Sequence, residues 1–304
     1  MPIPTLADVA ADLHEWATGD SPRIRTGFPV IDDLTRGGPA PGEVVMILGR
    51  SGVGKTAVGC NFAVNMQGTP TVFFSLEMPA RMLLIRTAAI HSVTPTYVVE
   101  QQLRYENRSR AVERVVQDFP HLAIVDDTGV GFRQMGSILD ELEDTWGVPV
   151  KAIIIDYLEL LRPPLGTEGG TASVDTISRR LKEFARERDL VVMVLHQLSM
   201  TSARRGTSNK ERVIDMGHLP VTRNDARYGG DTAADYTVGV YRPALDPTLP
   251  QDEKLVRRNE FRMQLLKTRA GSELDFYGHK YHLDLDSMKI FTTTTDPRLD
   301  LGDF

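Results

Sequence analysis

The residues with the clearest capacity for chemistry lie in Gly49-Arg50-Ser51-Gly52-Val53-Gly54-Lys55-Thr56, between the apolar run Val44 to Leu48 and the small and apolar series Ala57 to Val64. The pattern is GxxxxGK[ST], and its flanks predict strand, glycine loop and helix. Glycines at 49, 52 and 54 let backbone N–H groups approach anionic oxygens without intervening side chains. The helix N-terminus behind the loop adds a favourable field for a triphosphate. Lys55 is placed to reach β and γ phosphates, and the Thr56 hydroxyl to hold Mg²⁺. The apolar segment Lys151 to Leu158 supplies the expected partner. Its carboxylate, Asp156, ends a buried strand, where it can accept the Thr56 hydroxyl or a Mg²⁺-bound water.

These groups need a scaffold that brings several strand ends together. Thr71 to Ser75 forms a strand that delivers Ser75-Leu76-Glu77-Met78 at its carboxyl end, where open α/β sheets place ligand chemistry. Further strands are predicted at His121 to Val125, Leu190 to Leu195, Ala234 to Tyr241 and Phe261 to Leu266, with helical stretches over 79–118 and from about Phe132 to Trp146. The arginines of the first helical stretch, Arg86 among them, read as solvated faces or structural pairs. A helix following Ser173, a plausible N-cap, turns Val174, Ile177, Leu181, Phe184 and Ala185 inward and Arg179, Arg180, Lys182, Arg186 and Arg188 outward. Strands alternating with helices predict an α/β fold with a mainly parallel central sheet. Asp126 and Asp127 at a strand end could bind a metal. Adjacent strand residues point to opposite faces, however, so a capping role for Asp127 or Thr128 fits better. His282, Asp284 and Asp286 alternate with Tyr281, Leu283 and Leu285, which reads as a solvated edge strand rather than a metal face. Ahead of all this, Thr5-x-x-Asp8 opens a short amphipathic helix over residues 5–17, followed by a loop-like Thr18 to Pro22. That helix could dock on its own domain or on a neighbouring subunit.

Composition narrows the class. The 304 residues, 41% hydrophobic and 25% charged, match a globular protein with an adequate core, and the net charge of −6 argues against a surface that coats nucleic acid non-specifically. Contacts to DNA or RNA must then come from local basic segments. Residues 199–232 form such a segment without periodicity, with Arg204, Arg205, Lys210 and Arg212, and later Arg227-Tyr228-Gly229-Gly230. Side chains and exposable backbone of this kind, Gly229 included, suit contacts to a single-strand backbone; the alternative is a solvated loop. The single cysteine, Cys60, sits among small residues of the loop's helix and is expected to be a buried thiol. No apolar run approaches membrane-spanning length, and no secretory pattern opens the chain, so a cytoplasmic protein without a membrane partner is expected.

From Thr26 the chain runs Thr-Gly-Phe-Pro-Val-Ile-Asp-Asp-Leu-Thr-Arg-Gly-Gly-Pro-Ala-Pro-Gly-Glu into the phosphate loop. This lead-in resembles the RecA-like P-loop ATPases, and the later motifs resemble the C-terminal motor domain of the DnaB family of replicative helicases over roughly residues 24–292. The resemblance implies a RecA-like fold with a terminal β-hairpin, ATP and Mg²⁺ as ligands, single-stranded DNA as partner and a homo-oligomer, a hexameric ring. It also implies roles. Glu77 would polarise the attacking water, and Asp156 in IIIDYLELL would be the Walker B acid. Gln197 in His196-Gln197-Leu198 would sense the γ-phosphate. Lys267 and Arg269 in Lys267-Thr268-Arg269-Ala270-Gly271 would reach a neighbour's site, Arg269 as arginine finger. The basic segment around Asp225-Ala226-Arg227 resembles the family's DNA-binding loop, although its connection to Asp231 is shorter. His196 stands where the family usually has serine, either as a satisfied strand-end histidine or as a group that alters phosphate handling. Asp235 and Tyr241-Arg242 match the family's "DAD…YR" ending.

The family's helical collar domain has no counterpart in the first two dozen residues. A short leading helix and linker over 1–22, one ATPase domain over 23–304 and no primase interaction are therefore expected. Three functions remain open: an ATP-driven translocase or helicase on single-stranded DNA, a recombination or repair ATPase that does not unwind, and a structure-selective metal-dependent nuclease on the same scaffold.

Overall fold

A computed structural model describes residues 5–18, 23–162, 171–197, 233–269 and 279–292. After helix α1 (Leu6–Thr18) and the short α2 (Pro29–Asp32), the chain alternates strands and helices. The order is β1 (Val44–Gly49), α3 (Lys55–Asn65), β2 (Thr71–Ser75), α4 (Ala80–Ser92), α5 (Thr96–Tyr105), α6 (Arg110–Asp118), β3 (Leu122–Val125), α7 (Phe132–Trp146) and β4 (Ala152–Asp156). Then follow α8 (Thr171–Glu187), β5 (Val191–Gln197), β6 (Tyr236–Tyr241), α9 (Gln251–Val256), β7 (Glu260–Thr268), β8 (His279–Leu283) and β9 (Ile290–Thr292).

These nine strands lie in one sheet in the order β3-β2-β4-β5-β1-β6-β7-β8-β9. The pairs from β3 to β6 are parallel, and β6–β7, β7–β8 and β8–β9 are antiparallel. Parallel strands covered on both faces read as unbroken apolar runs, because alternate side chains enter two different cores. The division is visible residue by residue. Val45, Ile47, Ile154, Met193 and Leu195 join α3 and α4 on one face, whereas Val44, Met46, Leu48, Ile153, Ile155, Val192 and Val194 join α7 and α8 on the other. The parallel strands all point their carboxyl ends the same way, and β1 lies between β5 and β6 near the middle.

Several local expectations need correction. Helix α8 begins at Thr171, so Ser173 lies in its first turn rather than at its cap. Lys182 is not directed outward: its Nζ donates to the Gly42 carbonyl and to Asp235 Oδ2, each at 2.6 Å, because a partly covered ammonium needs acceptors. The capping acid is Asp126, whose Oδ2 accepts the Ala80 N–H of α4 at 2.8 Å, while Asp127 closes its own turn by accepting from the Gly129 N–H. Strand β8 is not an edge, since β7 and β9 flank it, and Asp284 lies beyond its end in the turn to β9, accepting the Ser287 hydroxyl. In α1 the expected reciprocal cap is formed, with Thr5 N–H donating to Asp8 Oδ2 at 2.7 Å and Asp8 N–H to Thr5 Oγ1 at 3.3 Å. Its apolar residues Leu6 (89%), Val9 (48%) and Leu13 (58%) are exposed, so the stripe is uncovered in the single chain. No helix among the described residues is long and apolar enough to cross a membrane.

Candidate nucleotide site

The site forms where β1, β2, β4 and β5 end. Gly49 closes β1 in a place with no room for a side chain: a Cβ there would stand 2.6 Å from Val240 Cγ2 and 2.8 Å from Val53 Cγ1. Gly52 and Gly54 hold positive φ of 75° and 104°, conformations that strain other residues, and Gly54 leads directly into α3. Arg50 and Val53 are buried, whereas Ser51 and Gly52 between them are exposed. Lys55 opens α3, is 7% exposed, and donates from Nζ to the Arg50 carbonyl at 3.0 Å. Its ammonium is therefore folded onto the loop's own backbone. Burial pulls the Lys55 pKa down, and the negative charges of Asp156, Glu159 and Glu77 oppose that.

Asp156 ends β4 at 1% exposure. Desolvation raises its pKa to about 6. The Thr56 hydrogen bond works against the rise, the Glu77 charge adds to it, and Lys55 and Arg86 reduce it. Oδ2 of Asp156 is buried with no protein partner. A buried carboxylate oxygen without a donor is costly unless something else meets it. With the Thr56 hydroxyl beside it and a lysine facing it, this donor set fits a hard, oxygen-loving cation such as Mg²⁺ held next to phosphates. Glu77 is exposed just beyond β2, near enough for its charge to act on Lys55, Asp156 and Tyr157. Among the described residues no group of three or more His, Cys, Asp or Glu side chains is disposed to hold a metal.

On β5, Gln197 pairs in register with Gly49 and His196 with Leu48. The Gln197 N–H donates to Glu159 Oε1 at 3.0 Å, from the 3-10 turn Leu158–Leu160 that follows β4. His196 is buried, with Nδ1 2.9 Å from the same oxygen but outside hydrogen-bond alignment. The histidine is thus a packed strand-end residue against a carboxylate.

Lys267 and Arg269 stand elsewhere. Thr268 pairs with Tyr236 and Lys267 with Thr237, and Tyr236 pairs in turn with Val45 near the start of β1. Arg269 Nη1 lies 3.4 Å from Asp235 Oδ1, and its N–H donates to the Asp235 carbonyl at 3.1 Å. Asp235 is 4% exposed and also accepts the Val44 N–H at 2.8 Å. The Arg269 side chain itself is 54% exposed. Arg269 therefore sits at the amino end of β1, a strand length of roughly 17 Å from Gly49, whereas Lys267 stands level with Met46, roughly 10 Å from Gly49 along the strand direction at ~3.3 Å per residue and two strands away.

The fold brings together Gly49, Arg50, Ser51, Gly52, Val53, Gly54, Lys55, Thr56, Glu77, Asp156 and Gln197, and leaves Lys267 and Arg269 apart from them. Arg204, Arg205, Lys210, Arg212, Arg227 and Gly229 lie outside the described residues. Two groups at the site escape sequence reasoning. Arg86 on α4 has the look of a solvated or structurally paired arginine, yet its charge acts on Asp156 and on buried Cys60. Glu159 lies inside the quoted IIIDYLELL, and the unusual His196 is the available hint that something on a neighbouring strand end has to face it.

Sheet, loop and strand-end acids together define a RecA-like P-loop nucleotide-binding protein. The family model "DnaB-like helicase C terminal domain" matches residues 23–274, and the chain belongs to that family. It is 32% identical over 196 residues to "Replicative DNA helicase DnaB" of Synechocystis sp., covering 62% of this chain and 21% of that protein. The corresponding helicase of Haemophilus influenzae is 30% identical over 200 residues, covering 64% of this chain and 42% of that one. The chain spans less than half the length of the curated relatives it matches. Among solved structures, one described as an ATPase domain superposes with a TM-score of 0.73 at 20% identity, over 96% of this chain and 99% of that one. A "DnaB-Like Replicative Helicase", solved to show its interactions with primase, superposes with the same TM-score of 0.73 at 21% identity, over 95% of this chain and 68% of that one.

Proposed function

We propose that this chain is the motor of an ATP-dependent DNA translocase or helicase, hydrolysing ATP between subunits of a homo-oligomeric ring to move on single-stranded DNA. The observation that carries this reading is the opposed placement of the two halves of the site. Lys55, Thr56, Asp156, Glu77 and Gln197 gather at the carboxyl end of the sheet, whereas Arg269 is held by Asp235 at the amino end of β1 and Lys267 is paired to β6 level with Met46, two strands away. Neither of these side chains is long enough to span that interval within one chain. If Lys267 and Arg269 stabilise charge on a transferring phosphoryl group, they do so at the site of another copy.

In this assignment the loop from Gly49 to Thr56 cradles the triphosphate, and Lys55 exchanges the Arg50 carbonyl for phosphate oxygens. Thr56 and Asp156 would hold Mg²⁺, which when bound neutralises charge on the phosphate oxygens. Glu77 orients and polarises the attacking water, and Gln197 reports the γ-phosphate. Hydrolysis conditional on a neighbour's Arg269 suits a ring, for which a hexamer is our reading. The exposed stripe Leu6, Val9 and Leu13 supplies an apolar face for α1 to lay on the next subunit. Residues 1–22 then act as a tether and 23–304 as one ATPase domain. Contact with single-stranded DNA is assigned to Arg204, Arg205, Lys210, Arg212, Arg227 and Gly229.

The test is unwinding of a forked DNA substrate with ATP, with Lys55→Ala as control. Unwinding that is lost in the variant supports the helicase reading. ATPase activity without unwinding would favour the recombination or repair alternative, and metal-dependent cleavage that survives the substitution would favour the nuclease. Neutralising Arg204 and Arg205 should weaken single-strand binding and flatten its salt dependence.

A further inference from the structure

Glu159 has no role in the assignment above, yet it touches the last two residues of β5 at the site. Its Oε1 accepts the N–H of Gln197 at 3.0 Å and lies 2.9 Å from His196 Nδ1, while Oε2 is buried without a hydrogen-bond partner. The carboxylate is partly covered, with its side chain 27% exposed against 6% for His196. Gln197 and His196 are also the residues of β5 that stand beside Gly49 and Leu48, where the chain leaves β1 for the phosphate loop. A side-chain oxygen that accepts a backbone N–H ties that stretch of main chain in place. Here it fixes the main chain of the last residue of β5 without engaging the Gln197 side chain. The buried imidazole closes the space beside the carboxylate, so Glu159 has little freedom to swing away.

We propose that Glu159 is a positioning residue of the ATPase site, holding the Gln197 main chain against the entry to the phosphate loop so that the glutamine side chain meets the γ-phosphate. It acts through Gln197 and does not touch reacting atoms. This inference rests on the ATPase reading above. Its geometric half does not, because the bond from Gln197 N–H to Glu159 exists without nucleotide.

The test uses the full chain with Glu159→Ala, Glu159→Gln, Gln197→Ala and the double variant Glu159→Ala/Gln197→Ala. In nucleotide-free protein, hydrogen exchange of the Gln197 amide should speed up about tenfold or more in Glu159→Ala and stay within about threefold of the parent in Glu159→Gln, whose amide oxygen still accepts. With ATP and single-stranded DNA, Glu159→Ala should lower kcat about tenfold or more with KM for ATP changed less than about threefold. Glu159→Gln should recover most of that loss. In the Gln197→Ala background, removing Glu159 should add almost nothing, because residues acting as one unit are non-additive. Unchanged exchange at Gln197 overturns the proposal, as does full multiplication of the two losses or a Glu159→Ala kcat within about twofold of the parent. A parent protein with no ATPase activity would sink the functional reading instead, and the exchange comparison would still decide whether Glu159 holds the strand end.

Discussion

Replacing Asp156 by asparagine removes a charge that the nucleotide-free fold holds at a cost. Burial puts its pKa at about 6 against an ordinary 3.8, so between those values the folded protein keeps a proton that the unfolded chain has released. Stability therefore falls as pH rises through this window and levels off above it. At 1.36 kcal/mol per pH unit the difference amounts to about 3 kcal/mol. The Asn amide can still accept from Thr56, but its NH₂ has no acceptor where Oδ2 now stands unpartnered, which returns about 1 kcal/mol. Asp156→Asn should thus be more stable than the parent by about 2 kcal/mol above pH 7, or roughly 4 °C in Tm, and should lose that advantage near pH 4. The assay is urea unfolding in chelator at equal protein concentration from pH 4 to 8. Adding Mg²⁺ and ATP should reverse the order, since a ligand bound only by the folded parent adds stability that the variant cannot gain. A variant less stable than the parent at pH 8, or a gap independent of pH, would refute the claim that Asp156 is an unpaired buried charge waiting for a cation.

Mixing Lys55→Ala with Arg269→Ala subunits should restore part of the ATPase activity through hybrid interfaces; no rescue at any ratio would count against a site shared between copies. Gly49→Ala should abolish binding of a fluorescent ATP analogue and lower stability by about 1–3 kcal/mol, because the added methyl collides with Val240 and Val53, and normal binding would show that the loop has room. Burial would raise the pKa of Glu260, but hydrogen bonds from Arg257 and Arg262 outweigh it and hold the group down to about 2. Its contribution, about 3 kcal/mol, should be complete above its ordinary value of 4.5 and vanish as pH falls towards 2. Urea titrations of Glu260→Gln should accordingly show a loss at pH 7 and almost none near pH 2.

The parts of this molecule legible from sequence are those set by local pattern. The phosphate loop needs glycine where backbone must approach an anion, and the strands around it need apolar side chains on both faces, so GxxxxGK[ST] and runs such as Ala152 to Ile155 declare themselves. Residues whose surroundings come from distant segments do not. Lys182 reads as one more outward cation of an amphipathic helix, because its acceptors, Gly42 and Asp235, are 140 and 53 positions away. Asp126 reads as an awkward half of an acid pair until α4 brings the Ala80 N–H to it. The strand at 279–283 has an alternating pattern that suits an edge, and only the pairing with β9 shows that it is covered. Glu159 belongs to the same class: nothing local distinguishes it from a solvent-facing glutamate.

The same long-range geometry separates the residues to which catalytic roles are proposed. In parallel strands, groups at the carboxyl ends converge on one ligand, which is how Lys55, Asp156, Glu77 and Gln197 become neighbours from four separate segments. Antiparallel β7 runs back against β6 and so delivers its last residues to the opposite end, beside Val44 and Asp235. A finger at that end cannot be folded round to its own phosphate loop without breaking β7 from the sheet. Asp235 meanwhile holds Arg269 at one nitrogen and leaves its side chain half-exposed, a state in which a stronger anion on another copy could take it over. On the proposed roles, the strand direction of β7 turns a local Lys-x-Arg motif into a requirement for a second subunit, and the mixed-subunit rescue is the measurement most sensitive to it.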